Sequence, residues 1–564
     1  MAPAMWVWPD VCRCNDVVLF ATISAVLIIV IAQTYTSSVR YPRNLPRIGR
    51  RPGQTGFSLA TRWQYLVDCS SLYRDAYENY SKKGKTVLIP GLGARDEIIL
   101  PGNAIRWALA QPEEILSSSE ALVEINQTRW AFGNSSITSD LWHVGLFRTD
   151  LNRALETVCA GVNDELALAL DTFFGVDADN WTEIDLLATM RMVVAQAGNR
   201  FIIGDSPEGL KLCRDQEFLR NNVAVFECFI LNGGISGACP VLLRPLVGRM
   251  AAWPIWRRMA KFRRHIRLLY EERMRILRLQ QQQDNNPGKA TPRDFFQVMM
   301  QFAATYRTED VNDFENMAAR LCAANFGAMH QTSIQATNLL LNILGSDPEF
   351  DTIAVLRDEV ARVIGPGGSP GHADHTGSSR AWTKAKVAAM VHTDSAARET
   401  LRINAFANRA IFRKVMVDGL TTEDGISLPK GSFVSFFSQP PNTDSEYYEE
   451  PLKFDPFRFS RSMNGAAGGD AANNKDPSAG EAGGPKYVST SERYLSFGHG
   501  KHACPGRFLV DFELKMMVAC ILTRYDIKLP AAYQGRRPRG RWVAEAHLPP
   551  HGARIMVKRR RIVE

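Results

Sequence analysis

Hydrophobic and polar residues along the chain fall into blocks with clearly different periods. Residues 17–32 form one uncharged apolar run between Asp16 and Gln33. At sixteen residues it is slightly short for a membrane span, and Thr34 and Tyr35 extend it. Residues 62–80 carry a helical pattern. The apolar runs 86–90 and 97–101, joined through Gly91-Leu92-Gly93, predict a hairpin. A helix opens at Leu141 and continues towards Leu166. Residues 223–278 are helical, with breaks predicted at Gly233-Gly234 and at Pro240. Within them, residues 242–256 mix apolar, aromatic and Arg side chains, a mixture that suits a membrane interface or a buried helix pair. Residues 257–278 predict an arginine-rich helix with a solvated face. Residues 317–344 predict one long helix with small residues at its middle. Residues 410–417 and 431–437 predict strands linked by a turn beginning at Asp418-Gly419.

Composition narrows the class. The chain has 564 residues, 45% apolar and 22% charged, which is ordinary for a globular protein with a large core. The net charge of +8 is spread out and no basic module with interleaved aromatics appears, so nucleic acid is not expected as a partner. The ten cysteines are dispersed without a disulfide framework, which suits a reducing compartment. Arg40, Arg43, Arg47, Arg50 and Arg51 follow the apolar run and only Arg13 precedes it. That order disfavours a cleaved signal peptide and places the body on the cytoplasmic side of a membrane. There the N-x-[ST] sequons at Asn79, Asn126, Asn134 and Asn180 would stay unglycosylated. Pro42, Pro46 and Pro52 stiffen the segment into a hinge. Gln280–Asn286 predicts a loop, residues 366–379 and 463–484 predict disordered loops, and the basic run 558–561 predicts a surface tail.

The chemistry concentrates near the C-terminus. Cys504 ends a glycine-rich loop, Phe497-Gly498-His499-Gly500-Lys501-His502-Ala503-Cys504-Pro505-Gly506-Arg507, and helix-compatible sequence follows. Pro505 suits the first turn of a helix. The sulfur therefore lies where free N–H groups and a positive helix end stabilise a thiolate. A metal ligand, a reactive thiol and an incidental cysteine all fit that description. A structural zinc site lacks partners at suitable spacing. Upstream, Glu399 and Arg402 stand one helical turn apart, and Phe454-Asp455-Pro456-Phe457-Arg458-Phe459 follows.

Taken in order, these elements resemble the cytochrome P-450 superfamily. The loop fills every fixed position of that family's F-x-x-G-x-[R/H]-x-C-x-G pattern with Phe497, Gly500, His502, Cys504 and Gly506. Its wording is most similar to fungal secondary-metabolism members near ent-kaurene oxidases. The resemblance implies a mainly α fold with a small β region, preceded by an N-terminal transmembrane helix. The expected divisions are an anchor (1–39), a proline- and arginine-rich hinge (40–58) and a haem-thiolate catalytic domain (59–564). It implies haem b ligated through Cys504, with Phe497, Gly500, His502, Gly506 and Arg148 around the cofactor. Arg148 enters because Trp142 lacks the family's Arg four residues on. Glu399, Arg402 and Arg458 would form a buried charge network steadying the loop. The family's [A/G]-G-x-[D/E]-T falls on Gly327-Ala328-Met329-His330-Gln331-Thr332, so His330 stands for the acid and Thr332 lies one residue past the alcohol position. These two are the expected proton-handling residues. Residues 122–140, the long helix over 317–344, and residues 404–412 and 544–550 are the pocket walls the resemblance implies.

The activity so implied is insertion of one oxygen atom from O2 into an apolar small molecule, a terpenoid or polyketide-derived secondary metabolite. Electrons would come from NADPH through a membrane-bound reductase docking at Lys501 and Arg507, with the protein held at the endoplasmic reticulum membrane. A haem-thiolate isomerase or dehydratase and a non-catalytic haem-binding protein are the alternatives.

Overall fold

The computed structural model describes residues 39–561 apart from 50–57, 94, 134–136, 138–139, 150, 283–291, 366–381 and 465–483. The expected anchor up to residue 38, part of the hinge, and nearly all of both predicted loops lie outside these. Among the described residues no helix is long and apolar enough to cross a membrane.

The helical stretch near residue 70 is two helices, α1 (Leu59–Val67) and α2 (Cys69–Asn79). Asp68 separates them, ending one and capping the next by accepting from the Ser71 amide. The predicted hairpin follows as β1 (Val87–Pro90) and β2 (Asp96–Ile99), with Val87 opposite Ile99. Then come α3 (Ser118–Asn126), α4 (Trp142–Thr149), α5 (Leu151–Phe174), β3 (Thr182–Asp185), α6 (Leu186–Ile202) and α7 (Gln216–Ala238). The break expected at Gly233-Gly234 does not occur. A Cβ on Gly233 would lie 3.3 Å from the Asn126 carbonyl oxygen, so this glycine serves close packing against the end of α3. Pro240 does end α7.

The second half contains α8 (Arg244–Gln282), α9 (Phe314–Phe350), α10 (Val391–Ile403), β4 (Arg409–Val415), β5 (Phe433–Phe437), α11 (Arg507–Arg524), β6 (Tyr525–Lys528), β7 (Arg541–Val543) and β8 (Arg554–Arg559). The main sheet has the order β1–β2–β5–β4, with Leu116–Ser117 on the far edge and β2–β5 its parallel pair. The basic C-terminal run is not a free tail. Lys558 and Arg559 belong to β8, which pairs with both β3 and β6. Their backbone groups complete a three-stranded sheet, and Arg559 reaches Asp171 at 2.7 Å.

The main core lies between helices, where α5, α6, α9, α10 and α11 bury residues such as Val193, Phe201, Leu339 and Met516. A smaller core lies under the sheet, around Leu88, Ile98 and Val434. The mainly helical build with a small β region matches the expectation. It leaves the Cys504 loop resting on α10 and leading into α11.

Candidate active site

The loop is shaped by its glycines. Gly498 and Gly500 sit at φ +70° and +64°, a region L side chains avoid, and the Cys504 amide donates to the Phe497 carbonyl at 2.8 Å to close the turn. A Cβ on Gly500 would also press on Leu109 at 3.2 Å. Phe497 packs against the core, edge-on to the Tyr487 ring at 5.3 Å. No side chain caps α11. The Arg507 amide and Nη1 instead reach the Cys504 carbonyl, at 3.5 and 2.8 Å. Burial dominates and pushes the Cys504 thiol up, against the smaller pull of the Gly506 and Arg507 amides and of the Arg507 and Arg148 charges.

Cations gather around this sulfur. Arg148, exposed in the last turn of α4, is near enough for its charge to act on Cys504, His502 and Arg507. His502 faces Ser118, with 3.4 Å between Nδ1 and Oγ, and its Nε2 lies 3.8 Å from Glu113. Arg413 of β4 is buried beside it. Its Nη1 donates to the Phe412 carbonyl, and its Nη2 has no hydrogen-bond partner among the described residues. The Arg507 Nε is equally unmatched. Buried cationic nitrogens without partners call for an anionic group. Sequence reasoning missed Arg413. Its signal was the alternation in β4, where Arg409 and Arg413 both fall on the inward phase. A bulge between Ala410 and Arg413, with Ile411 at φ +56°, bends the strand there.

The three network residues do meet. The Arg402 guanidinium donates two bonds of 2.7 Å to Glu399, and both side chains are wholly buried. Arg458 reaches Glu399 at 3.1 Å, and the Asp455 amide donates to the same oxygen. Arg402 also donates to the carbonyls of Asn442 and Pro451. Asn442 in turn donates to Ser496, the residue before Phe497. The charge cluster is thus tied to the Cys504 loop through one amide side chain. A second tie escaped the sequence reading: Asp394 of α10 accepts from the Tyr487 amide at 2.7 Å and pairs with the buried Lys515 of α11 at 2.5 Å.

Over α9 the expected residues separate. Ala323, Gly327 and Gln331, four residues apart, are accessible positions on one line of the helix, and Phe326 beside Gly327 is also partly exposed. A Cβ on Gly327 would meet nothing within 4 Å. His330 points elsewhere, stacked on Phe326 at 5.6 Å and bordering a small cavity with Arg191, Phe226, Glu227 and Ser333. Burial, with the Arg191 charge, lowers its pKa to about 4, so it is neutral at pH 7. Thr332 is fully buried and its hydroxyl donates to the Ala328 carbonyl at 2.6 Å. In α4, the Trp142 indole donates to Asp310 and His143 is buried against Arg320, 3.2 Å away.

The Cys504 sulfur thus lies at the start of α11 near the charges of Arg148 and Arg507, and α9 is open at Gly327. The cytochrome P-450 family model matches residues 153–555, and the chain belongs to that family. It is 45% identical to the cytochrome P-450 monooxygenase astC of Aspergillus terreus, with 93% of each chain covered. It is equally similar to the monooxygenase pbrC of Penicillium brasilianum, 45% identical over 93% of each chain. The monooxygenase tenB of Beauveria bassiana is 40% identical, again over 93% of each. The chain is therefore a haem-dependent monooxygenase, an oxidoreductase that incorporates oxygen from O2.

Proposed function

We propose that this monooxygenase oxidises an apolar secondary metabolite, terpenoid or polyketide-derived, at a haem b ligated by the Cys504 thiolate. The observation that carries the assignment is the position of the Cys504 sulfur at the uncapped start of α11, within reach of the Arg507 and Arg148 charges. The residues present fit the cofactor. Arg413, His502 and Arg148 would hold its two carboxylates, which supplies the partner that Arg413 Nη2 lacks. Phe497, Gly500 and Gly506 would line its sulfur side. The bound iron supplies oxygen binding and activation, and a thiolate ligand favours O–O cleavage.

The remaining work falls to the chain. Gly327 leaves room along α9 for cofactor and substrate, and Gln331 presents an amide on the same open stripe. His330 faces the cavity beside the Arg191–Glu227 ion pair, off that stripe, and stays neutral at pH 7. Thr332 holds the Ala328 carbonyl and keeps its lone pairs available to accept a hydrogen bond. Residues 17–32 anchor the protein in the endoplasmic reticulum membrane with the body in the cytoplasm. A membrane-bound NADPH reductase docks where exposed Lys501 and half-buried Arg507 present positive charge.

Product formation that requires both O2 and NADPH with reductase is the expected result, and turnover without either would overturn the reading. A carbon-monoxide difference spectrum of the reduced protein tests the ligand. Its thiolate-type band should vanish in Cys504→Ala, and a persisting band would remove Cys504 from the site.

A further inference from the structure

The face of α9 that is open at Gly327 and Gln331 continues towards the end of the helix as a polar line. Gln335, Asn338 and Asn342 follow Gln331 at spacings of four, three and four, and Gly345 closes the line. All of them fall within about 40° of Gln331 around the helix axis. Polar side chains on a buried helix face need partners. Asn342 has them, donating to Thr400 and to the Asn404 side chain at 3.0 Å each. Gln335 donates to the Asn404 carbonyl at 3.3 Å, but its Oε1 accepts nothing among the described residues. Asn338 is wholly buried. Its Oδ1 accepts from Arg537, while its Nδ2 donates to nothing among the described residues.

Two glycines bring a guanidinium and an imidazole against this line. A Cβ on Gly345 would lie 2.9 Å from the Arg537 Cβ, so that glycine admits the Arg537 stem against α9. The Arg537 Nη2 donates to Asn338 at 2.8 Å, and its Nε, sealed from solvent, has no partner among the described residues. No carboxylate pairs with it there. Burial draws its pKa down to about 10, which leaves it charged at pH 7. A Cβ on Gly540 would lie 2.6 Å from the His547 Nε2. His547 is buried beside Trp542 of β7, its amide donates to the Phe406 carbonyl, and its Nδ1 is unmatched among the described residues. Burial, with the Arg537 charge, lowers its pKa to about 4, so the ring is neutral at pH 7.

A buried cation with no counter-ion, beside two more unmatched groups able to donate, calls for an anion. We propose that Arg537, Asn338 and His547 receive a carboxylate carried by the substrate at the end remote from the carbon that is oxidised. This narrows the apolar substrate proposed above and depends on that reading. Gln335 Oε1, the unmatched acceptor on the same line, lies nearer Gln331, so the carboxylate seats beyond it. A charge-assisted pair with the guanidinium fixes that end of the molecule. Seven residues separate Gln331 from Asn338, about 10 Å along the helix. An apolar skeleton of that length would run along the open stripe with its anionic end at Arg537.

The test is titration of the full-length haem protein with farnesoic acid, its methyl ester and farnesol, read as the shift in haem absorbance. The acid should bind the parent at least about tenfold more tightly than the ester. Arg537→Met should keep the thiolate-type carbon-monoxide band and lose that preference, and Arg537→Lys should restore part of it. Equal affinity for acid and ester in the parent, or no shift with the acid, would overturn the carboxylate site and leave the haem reading standing. A preference that survives Arg537→Met would do the same. Loss of the carbon-monoxide band in Arg537→Met, with an unchanged preference in Arg537→Lys, would assign Arg537 to folding and overturn the site. Absence of that band in the parent would overturn the haem reading itself, and the site with it.

Discussion

Glu399 has both carboxylate oxygens engaged by Arg402, and one of them also accepts from Arg458 and the Asp455 amide. Removing it strands two cations, one wholly buried. Glu399→Ala should therefore cost about 3–5 kcal/mol and lower bound haem, read by thermal unfolding and by haem content per chain. Glu513 is the opposite case: a buried carboxyl on α11 with neither oxygen hydrogen-bonded among the described residues, facing Gly198 and Met329. Burial pushes its pKa up to about 8. The folded state then keeps a proton that the unfolded state releases near its ordinary value of about 4.3. Folded chains bind more protons between those limits, so this group's stabilising contribution is complete below about pH 4 and is lost as pH rises towards 8. Glu513→Gln should flatten the decline in stability between pH 5 and 8. At pH 8 it should exceed the parent by up to a few kcal/mol, measured by denaturant unfolding across pH.

At the scale of elements, α9 shows how a weakness in a helix serves a site. Glycine costs up to about 1 kcal/mol relative to alanine inside a helix, and nothing lies within 4 Å of a Cβ at Gly327. Gly327→Ala should therefore stabilise the fold by up to about that amount. Gly327→Leu should fill the open stripe and depress turnover with little loss of melting temperature. Equal loss of both would mean the stripe is packed rather than open. The same helix separates residues that the motif had listed together. His330 faces α6 and α7, Gln331 lies on the open stripe, and the Thr332 hydroxyl turns back onto the helix. Successive helical residues point about 100° apart, so adjacency in sequence cannot place two side chains at one reacting centre.

For the whole molecule, the charge proposed to receive the reductase lies beside the Cys504 loop. Lys501 is exposed and Arg507 half-buried there. Reduction by the reductase should slow as salt rises through the range where exposed charges are screened. Lys501→Glu should slow it severalfold at low salt, while reduction by dithionite stays unchanged. Stopped-flow reduction under carbon monoxide reads both, and equal salt sensitivity of the two donors would remove charge from the docking step.

Much of this protein is determined locally. The Cys504 loop, its glycines and Pro505 set a turn and a helix start within eleven residues, because positive φ and the free amides of a first turn are short-range properties. The Glu399–Arg402 pair is likewise one helical turn. The hairpin and the long α9 followed from periodicity, while the continuity of α7 through Gly233-Gly234 did not, since close packing against α3 explains Gly233, and Gly234 faces open space. Tertiary structure alone decided what meets across the chain. It brought Arg413 beside His502 and Asp394 to Lys515, and it turned His330 away from the open stripe. Each depends on how elements distant in sequence pack, and neither period nor motif carries that information.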